Sequence, residues 1–585
     1  MLLTVVLHAQ PGDLDAARAL FARNIDAIHR HDREAYLALY LHSPQLVRSG
    51  AEGLAAGYEE FAKAAGARWP DALDADDLRL TPIQPGIVYG TYRYRVRYGG
   101  AEHNGISERL FIRTSDGWKI ALTGAVDAPA GTPPPPRAIA HATLIDGTGR
   151  APLKDANIIV RDGRISCAGN CAIPEGIDVL DAKGMFVTPG LIDAHVHFSQ
   201  TGWADGRPDA LDVRAAHPYE QVEADLKSHP QRYARSYVCS GVTSVFDVGG
   251  FPWTLELANR FEGDTLAPHV TAAGPLLSTL DHWLNLPAER QFIHLKDEET
   301  GHSGVRYLVA QGAKAIKVWW IVNPDLPVEK SEPWVTAAGS EAAKLKVPLI
   351  VHATGLAEAK GALRAGATLL VHSVDDQPVD DELIALAKKN GAILIPTLTV
   401  LRGYLNMFRG VADHKAPAID DPNHCVDPAT IARVNETATV STNIDMPQRV
   451  ARAAARVEKS ERFSRENLKK LVMAGIPIAT GTDAGNPLTL HGPAIYAEME
   501  AMQSAGMTPM QVIVSSTAIA AKAMHIEDVT GTIANGKEAD LLLLSADPAA
   551  DVANFRKISY VMRGGALRSI GELSALAQSS QQTKP

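Results

Sequence analysis

At 585 residues the chain is too long for one small domain; about three to five units are expected at roughly 100–200 residues each, fewer if one is a barrel. Its 46% hydrophobic and 21% charged residues are those of a globular protein. The net charge of -10 leaves no basic footprint, which argues against nucleic acid as the main partner. No apolar run approaches the roughly 18 residues that a membrane-spanning helix needs.

Residues 1–10 are apolar but short and lack a basic start. They read equally as the end of a signal peptide or as a first strand or frayed end; export, periplasmic or secreted, is slightly favoured over a cytoplasmic location. The four cysteines are too few for a disulfide scaffold. Cys167 and Cys171 are spaced to close a small loop in an exported protein or to remain as two thiols. Cys239 and Cys425 read as unpaired.

Residues 11–68 show helical periodicity, with Leu14, Ala17, Leu20, Phe21, Ile25 and Ile28 in one stripe. The period then changes to two. Tyr92, Tyr94, Val96 and Tyr98 alternate with Arg93, Arg95 and Arg97, and Gly105 to Phe111 and Trp118 to Val126 read as further strands. The arginine stripe reads as a solvated face. Helices followed by an antiparallel sheet make an α+β domain over 1–127. Its order resembles the NTF2-like (SnoaL-like) cone domain; such domains serve as enzymes, binding pockets or dimerisation modules, and here an assembly or accessory role is expected, with the protein a homo-oligomer. The proline-rich stretch 128–136 is a stiff linker.

Short β patterns follow in 137–186 and recur in 524–571. They suggest one composite sheet domain built from both flanks of a long middle segment, 187–523, with a polar tail at 572–585. In the middle segment a helical pattern ending in glycine precedes a short apolar strand at Gly241, Gly312, Gly366, Gly391 and Gly475. Alternating helix and buried strand implies parallel strands with right-handed crossovers. Strands near 190–197, 269–276 and 347–352 complete eight units, hence an α/β fold: a (β/α)8 TIM barrel with a flanking β-sandwich. Chemistry then belongs at the strand C-terminal ends.

The strands end in polar residues: His195 and His197, Asp247, Lys317, His352, His372 and Asp483. Strand alternation puts Asp193, His195 and His197 on one face and Ile192, Ala194 and Val196 on the other. Two imidazoles two residues apart can chelate one metal ion, and the other strand ends supply further ligands at the same mouth.

Pro189-Gly-Leu-Ile-Asp-Ala-His-Val-His197, Lys317, His352, His372 and Gly481-Thr-Asp483-Ala-Gly485 together resemble the amidohydrolase superfamily of metal-dependent hydrolases, over about 137–571. The nearest branch is the imidazolonepropionase-related group that includes Xaa-Pro dipeptidases. The resemblance implies two divalent metal ions, zinc above others. His195, His197 and Asp483 would hold one, His352 and His372 the second, and a carbamate of Lys317, made with carbon dioxide, would bridge them. It implies cleavage of the C–N bond of an amide or dipeptide by a metal-bridged hydroxide, with Asp483 as general base and then acid. A mononuclear deaminase, a lactonase or a catalytically inactive member are the alternatives. His282 stands where related dipeptidases carry Gly-Gly-His and is a candidate catalytic and substrate contact. Trp319 and His491 are further candidate substrate contacts. Residues 401–476 form an insertion between strands seven and eight, expected as a lid.

Overall fold

The computed structural model describes residues 11–50, 53–66, 68–98, 101–127, 134–281, 284–286 and 289–575. The start of the chain (1–10), most of the linker, His282 and the tail beyond 575 lie outside the described residues. The chain divides into two compact units: residues up to Ala138 with Ile173–Leu180, and Ile139–Ala172 with Asp181–Ala575.

In the first unit, helix Pro11–His29 is followed by Arg33–Ala38, whose N-terminus is capped by the Asp32 carboxylate accepting from the Ala35 N–H at 2.9 Å. Six strands form one sheet in the order Gly53–Ala56, Val47–Gly50, Gly117–Asp127, Ala101–Thr114, Ile87–Tyr98, Ala72–Gln84. The period-two pattern shows as buried Val88, Tyr92 and Tyr94, which pack with Leu20, Phe61 and Ile120 in one core. The opposite face is not simply solvated. Arg95 forms an ion pair with Asp74, its direct cross-strand neighbour.

The second unit is a TIM barrel with a β-sandwich. In its composite sheet, Phe186–Pro189 pairs antiparallel with Leu541–Leu544 and parallel with Arg137–Leu144, so both flanks meet in one layer. His269 from the barrel's third strand sits 3.1 Å from both Glu538 and Asp540, and Arg563 donates to the Asp540 carboxylate. This buried network ties sheet to barrel.

The barrel strands are Leu191–Val196, Val242–Asp247, a third in two pieces (His269–Ala272 and Leu276–Ser278), Ile316–Trp319, Leu349–His352, Leu369–Val371 and Ile393–Ile395, and the eighth place is taken by a segment at 477–484 that makes isolated bridges, Ile478 to Leu394 and Ala484 to Val196. The eighth closes the ring: Ala479 N–H donates to Leu394 O and Ala194 N–H to Thr480 O, both at 2.9 Å. The glycines preceding strands two, four, six, seven and eight take φ values between 59° and 95°, the left-handed turn that ends a helix without a Cβ clash. Ile192, Ala194, Phe246, Ala273, Ala315, Ile350, Val371, Ile395 and Ala479 fill the lumen.

The strand-one alternation is corrected. Ile192 and Ala194 face the lumen, whereas Val196 packs in the outer cluster between strands and helices. The register against strand two shifts between Asp193 and Val196. This irregularity reverses the phase and turns His195 and His197 inward.

The cysteines also correct an expectation. Cys167–Cys171 is a disulfide, and Cys239 and Cys425, expected unpaired, form a second. The second joins the barrel helix Gln231–Cys239 to the insertion after strand seven. Their sequence separation of 186 conceals the pairing until the fold brings them together.

Candidate active site

His195 and His197 leave strand one facing Asp483 at the end of strand eight. Their Nε2 atoms lie 3.4 and 3.0 Å from Asp483 Oδ1. The His372 ring centroid is 5.0 Å from that of His195 and 4.4 Å from that of His352. Lys317, 1% exposed, lines the same cavity of ≈ 470 Å³. The five barrel strands that carry the expected ligands thus bring all six side chains to one mouth. Asp247 stays behind it, accepting from the Phe198 N–H at 2.8 Å.

The rings are oriented by hydrogen bonds from outside the cluster. His197 Nδ1 donates to Gly249 O at 2.6 Å, which orients the ring with Nε2 toward Asp483. His372 Nδ1 lies 2.7 Å from Thr397 Oγ1. The Asp193 carboxylate accepts from Thr482 N–H at 2.9 Å and Thr482 Oγ1 at 2.6 Å, locking strand one to strand eight beneath the ligands. His372, Thr397 and Asp483 all take left-handed φ, 74°, 45° and 64°. Val371 points into the lumen, so simple alternation would carry His372 outward; the left-handed turn redirects it.

Burial holds His195 and His352 well below the ordinary imidazole range and His372 at about 4. Each is therefore neutral, the ligating form. Burial also lowers Lys317 to about 7, against the opposing pull of Asp483. His195 Nδ1 is buried without a partner, and no described side chain or carbonyl accepts from Lys317. Imidazoles and a carboxylate converging on one point, with a buried ring nitrogen of His195 left without a partner, fit divalent metal ions. His195, His197 and Asp483 offer ligand atoms within 4.8 Å of one another.

Trp319 lines the cavity, edge-on to His352 at 6.3 Å between ring centroids. Trp320 is buried elsewhere, its indole donating to Ser331. His491 does not line the cavity. It packs flat on Tyr233 at 4.0 Å, and its Nε2 lies 3.0 Å from His197 O, so it supports the ligand strand from behind. Burial lowers it to about 4.

A match to the amidohydrolase family model covers residues 186–568. The chain belongs to the amidohydrolase family. Ochratoxinase from Aspergillus niger is 25% identical over 72% of this amidohydrolase and 85% of the relative. Imidazolonepropionase from Ralstonia nicotianae is 26% identical over 70% of the chain and 92% of the relative. A solved Xaa-Pro dipeptidase with methionine in its active site superposes with a TM-score of 0.55 at 24% identity, over 74% of this amidohydrolase and all of the other chain. That likeness concerns the fold. As a family member the chain is a hydrolase acting on carbon–nitrogen bonds.

Several residues around the mouth have no sequence motif. Helices Val400–Ala412 and Met446–Met473 of the insertion bring Tyr404, Phe408, Arg449 and Arg456 to the cavity wall. Arg207 also lines it, held by Asp209 at 2.9 and 2.7 Å and by Asn486. Arg456 is paired with Asp375 at 2.8 Å. Arg449 donates to Ala210 O at 2.9 Å and lies 4.7 Å over the Phe408 ring; among the described residues no carboxylate pairs with it.

Proposed function

We propose that this amidohydrolase cleaves the amide bond of a small substrate that carries a carboxylate, as in an N-acyl amino acid or a dipeptide. The observation that carries this reading is the convergence of six strand-end ligands on a cavity whose far wall holds Arg449 without a carboxylate partner. His195, His197 and Asp483 would hold one metal ion and His352 and His372 a second, with Lys317 between them as a carbamate. Zinc suits this donor set best. The amine of Lys317 is buried and without an acceptor, so its neutral form is available to add carbon dioxide and lose a proton. Divalent ions at these ligands supply Lewis acidity, which polarises a carbonyl and lowers the pKa of water toward about 7.

The remaining steps belong to the protein's own groups. Asp483 takes a proton from the attacking water and returns it to the leaving nitrogen, giving a carboxylic acid and an amine. Arg449 clamps the substrate carboxylate. Trp319 and Phe408 wall the apolar part, and the insertion covers the mouth against water. His282 remains a candidate contact to the substrate oxygen. A purine deaminase is disfavoured, because the positions after His352 are Ala353, Thr354 and Gly355, none of which can protonate a ring. The first unit is read as an NTF2-like accessory domain. The two disulfides favour an oxidising compartment outside the cytoplasm.

The test is zinc-loaded enzyme screened against Xaa-Pro dipeptides, N-acyl amino acids, lactones and aminopurines. Cleavage of dipeptides or N-acyl amino acids is expected, and Arg449→Met should raise KM for the free acids about tenfold or more with a small change in kcat. Purine deamination without amide cleavage would overturn the reading. Lys317→Ala should lose one metal equivalent; full activity with two metals retained would remove the carbamate.

A further inference from the structure

The loop that carries Asp483 is held by one side chain on which three parts of the mouth meet. Asp483 stands in a left-handed turn, at φ 64°, and Gly485 continues it at φ 108°. The Asp483 carbonyl accepts twice from Asn486, from its backbone N–H at 3.3 Å and from its Nδ2 at 3.0 Å. A residue other than glycine keeps such a backbone only where its surroundings over-determine it. Asn486 supplies part of that determination from three positions further on, and it is only 3% exposed.

The oxygen of the same amide is engaged from two other loops. Asn486 Oδ1 accepts from Arg207 Nη1 and, at 2.5 Å, from Tyr404 Oη. The amide cannot be turned round: a guanidinium only donates and a carbonyl only accepts, so the oxygen belongs toward Arg207 and the nitrogen toward Asp483. Arg207 comes from the loop after strand one, where both Asp209 carboxylate oxygens fix it. Tyr404 comes from Val400–Ala412, the first helix of the insertion. The joint is close-packed. Gly403 lies so near the strand-eight loop that a methyl group there would overlap the Pro487 carbonyl oxygen, and this approach brings the next residue, Tyr404, onto Asn486. The loops after strands one and eight already share main-chain bonds, Gly202 N–H to Gly485 O and Leu488 N–H to Gly202 O, both at 2.8 Å. Tyr404 adds the insertion to that pair.

We infer that Asn486 is a positioning residue for Asp483 and that Tyr404 makes its hold depend on the seating of the insertion. The inference rests on the proposed role of Asp483 as metal ligand and proton carrier. Asn486 acts through the Asp483 backbone, and a small shift of that turn moves the carboxylate off both its ligand position and the line of proton transfer. With the insertion seated, Arg207 and Tyr404 both donate to Oδ1 and the amide is clamped at its two ends. With the insertion lifted, Oδ1 keeps Arg207 alone. Asp483 is then in register only under a closed cover, which ties proton transfer to the exclusion of water from the mouth.

The test compares the full chain as wild type, Asn486→Asp, Asn486→Ala and Tyr404→Phe. Asn486→Asp keeps an acceptor for Arg207 and Tyr404 but sets an oxygen against the Asp483 carbonyl. Loaded with cobalt(II) as the probe metal, wild type should show visible d–d bands. Asn486→Asp should shift those bands and hold cobalt about tenfold or more weakly against a chelator, while melting with wild type when metal-free. On an amide cleaved in the screen above, its kcat should fall about tenfold or more with little change in KM. In metal-free protein, amide hydrogen exchange across 482–490 should rise about fivefold or more in Asn486→Ala and in Tyr404→Phe, with Leu349–His352 as protected as in wild type. Wild-type exchange across 482–490 in Asn486→Ala overturns the positioning role, and in Tyr404→Phe it overturns the coupling to the insertion. An Asn486→Asp chain that melts far below wild type yet keeps its cobalt bands and kcat would make Asn486 structural. A wild type that takes up no cobalt would overturn the metal-site reading instead, and the exchange measurements would still decide this inference.

Discussion

His372 reaches the cluster of candidate ligands only because its backbone leaves the strand conformation, at φ 74°, a geometry that costs of order 1–3 kcal/mol for a residue other than glycine. What fixes the ring there is Thr397, whose Oγ1 is 2.7 Å from His372 Nδ1. Removing such an outer partner of a ligand typically costs 10–100-fold in metal affinity or activity. Thr397→Val should therefore weaken metal retention by about that factor, read by competition with a chelator, while the far-ultraviolet circular dichroism stays unchanged. Thr397 was not legible in the sequence. It is an ordinary threonine 25 residues from the histidine it holds, whereas His195, His197, Lys317 and His352 announce themselves as polar residues at or near the ends of apolar stretches. A second residue shows the same hidden role. Glu498 is fully buried, and its carboxylate accepts from Leu398 N–H, Thr399 N–H and Thr399 Oγ1, fixing the turn after strand seven. Burial outweighs these bonds and raises its pKa to about 7 from 4.5. The folded state thus holds this proton more tightly than the unfolded chain does. Its stabilising contribution is complete below pH 4.5 and is lost as pH rises through 7, by about 3 kcal/mol at most. Glu498→Gln should flatten that part of the stability curve in denaturant titrations at pH 5 and pH 8. Identical pH dependence in the two proteins would show that burial does not control this group.

At the scale of elements, the insertion is the part of the barrel that periodicity places but cannot shape. Its bounds follow from a long helical stretch between two strand patterns. Its function depends on packing that no local pattern encodes. Met407, Phe408, Val426, Val434 and Met446 cluster with Trp203 and Leu211 from the loop after strand one and with Leu490 after strand eight. The Trp203 indole donates to Thr437 Oγ1 at 2.9 Å. The covering helices are thus seated on the loops that leave the ligand strands, which is how Arg449 and Phe408 come to line the cavity. The Cys239–Cys425 disulfide adds a covalent tether to this seat. Closing a loop of that length restricts the unfolded chain by ~5 kcal/mol in the chain-entropy treatment, with measured values commonly 2–5 kcal/mol. Cys239→Ser/Cys425→Ser should lower the melting temperature of the barrel, and hydrogen exchange should rise first in Val400–Ala412 and Pro428–Glu436. Added reductant should bring wild type to the melting temperature of the double variant treated in the same way, since Cys167–Cys171 opens in both. A variant that melts with wild type would show that the apolar seat alone holds the insertion. The strand-one bulge was equally hidden: His-x-His looked like regular alternation, and only the register against strand two reveals the reversed phase.

The whole molecule carries its apolar cores in separate places. Among the described residues, the N-terminal cluster of Leu20, Tyr40, Phe61, Val88 and Phe111 contains none from the barrel or the sandwich. The second unit has a lumen cluster and a larger one between strands and helices, with sandwich residues Leu542 and Val561 in the latter. The sandwich and barrel therefore share a core although their sequences interleave, and they should unfold together. The N-terminal unit should unfold on its own, since cooperativity follows shared buried contacts. The change of period and the proline-rich stretch mark a boundary near this place in the sequence; that Ile173–Leu180, expected in the sandwich flank, groups with the first unit was not legible. The shared core of sandwich and barrel was legible only as two flanks that needed each other. Calorimetry of the full chain is expected to show two transitions. Leu20→Ala, a truncation in the first core worth ~2–5 kcal/mol, should lower one transition by on the order of 10 °C and leave the other, and metal retention, unchanged. Ile350→Ala in the lumen should do the reverse and release metal. One transition that moves as a whole with either substitution would mean that the cores are coupled and that the boundary at the linker is not a boundary in folding.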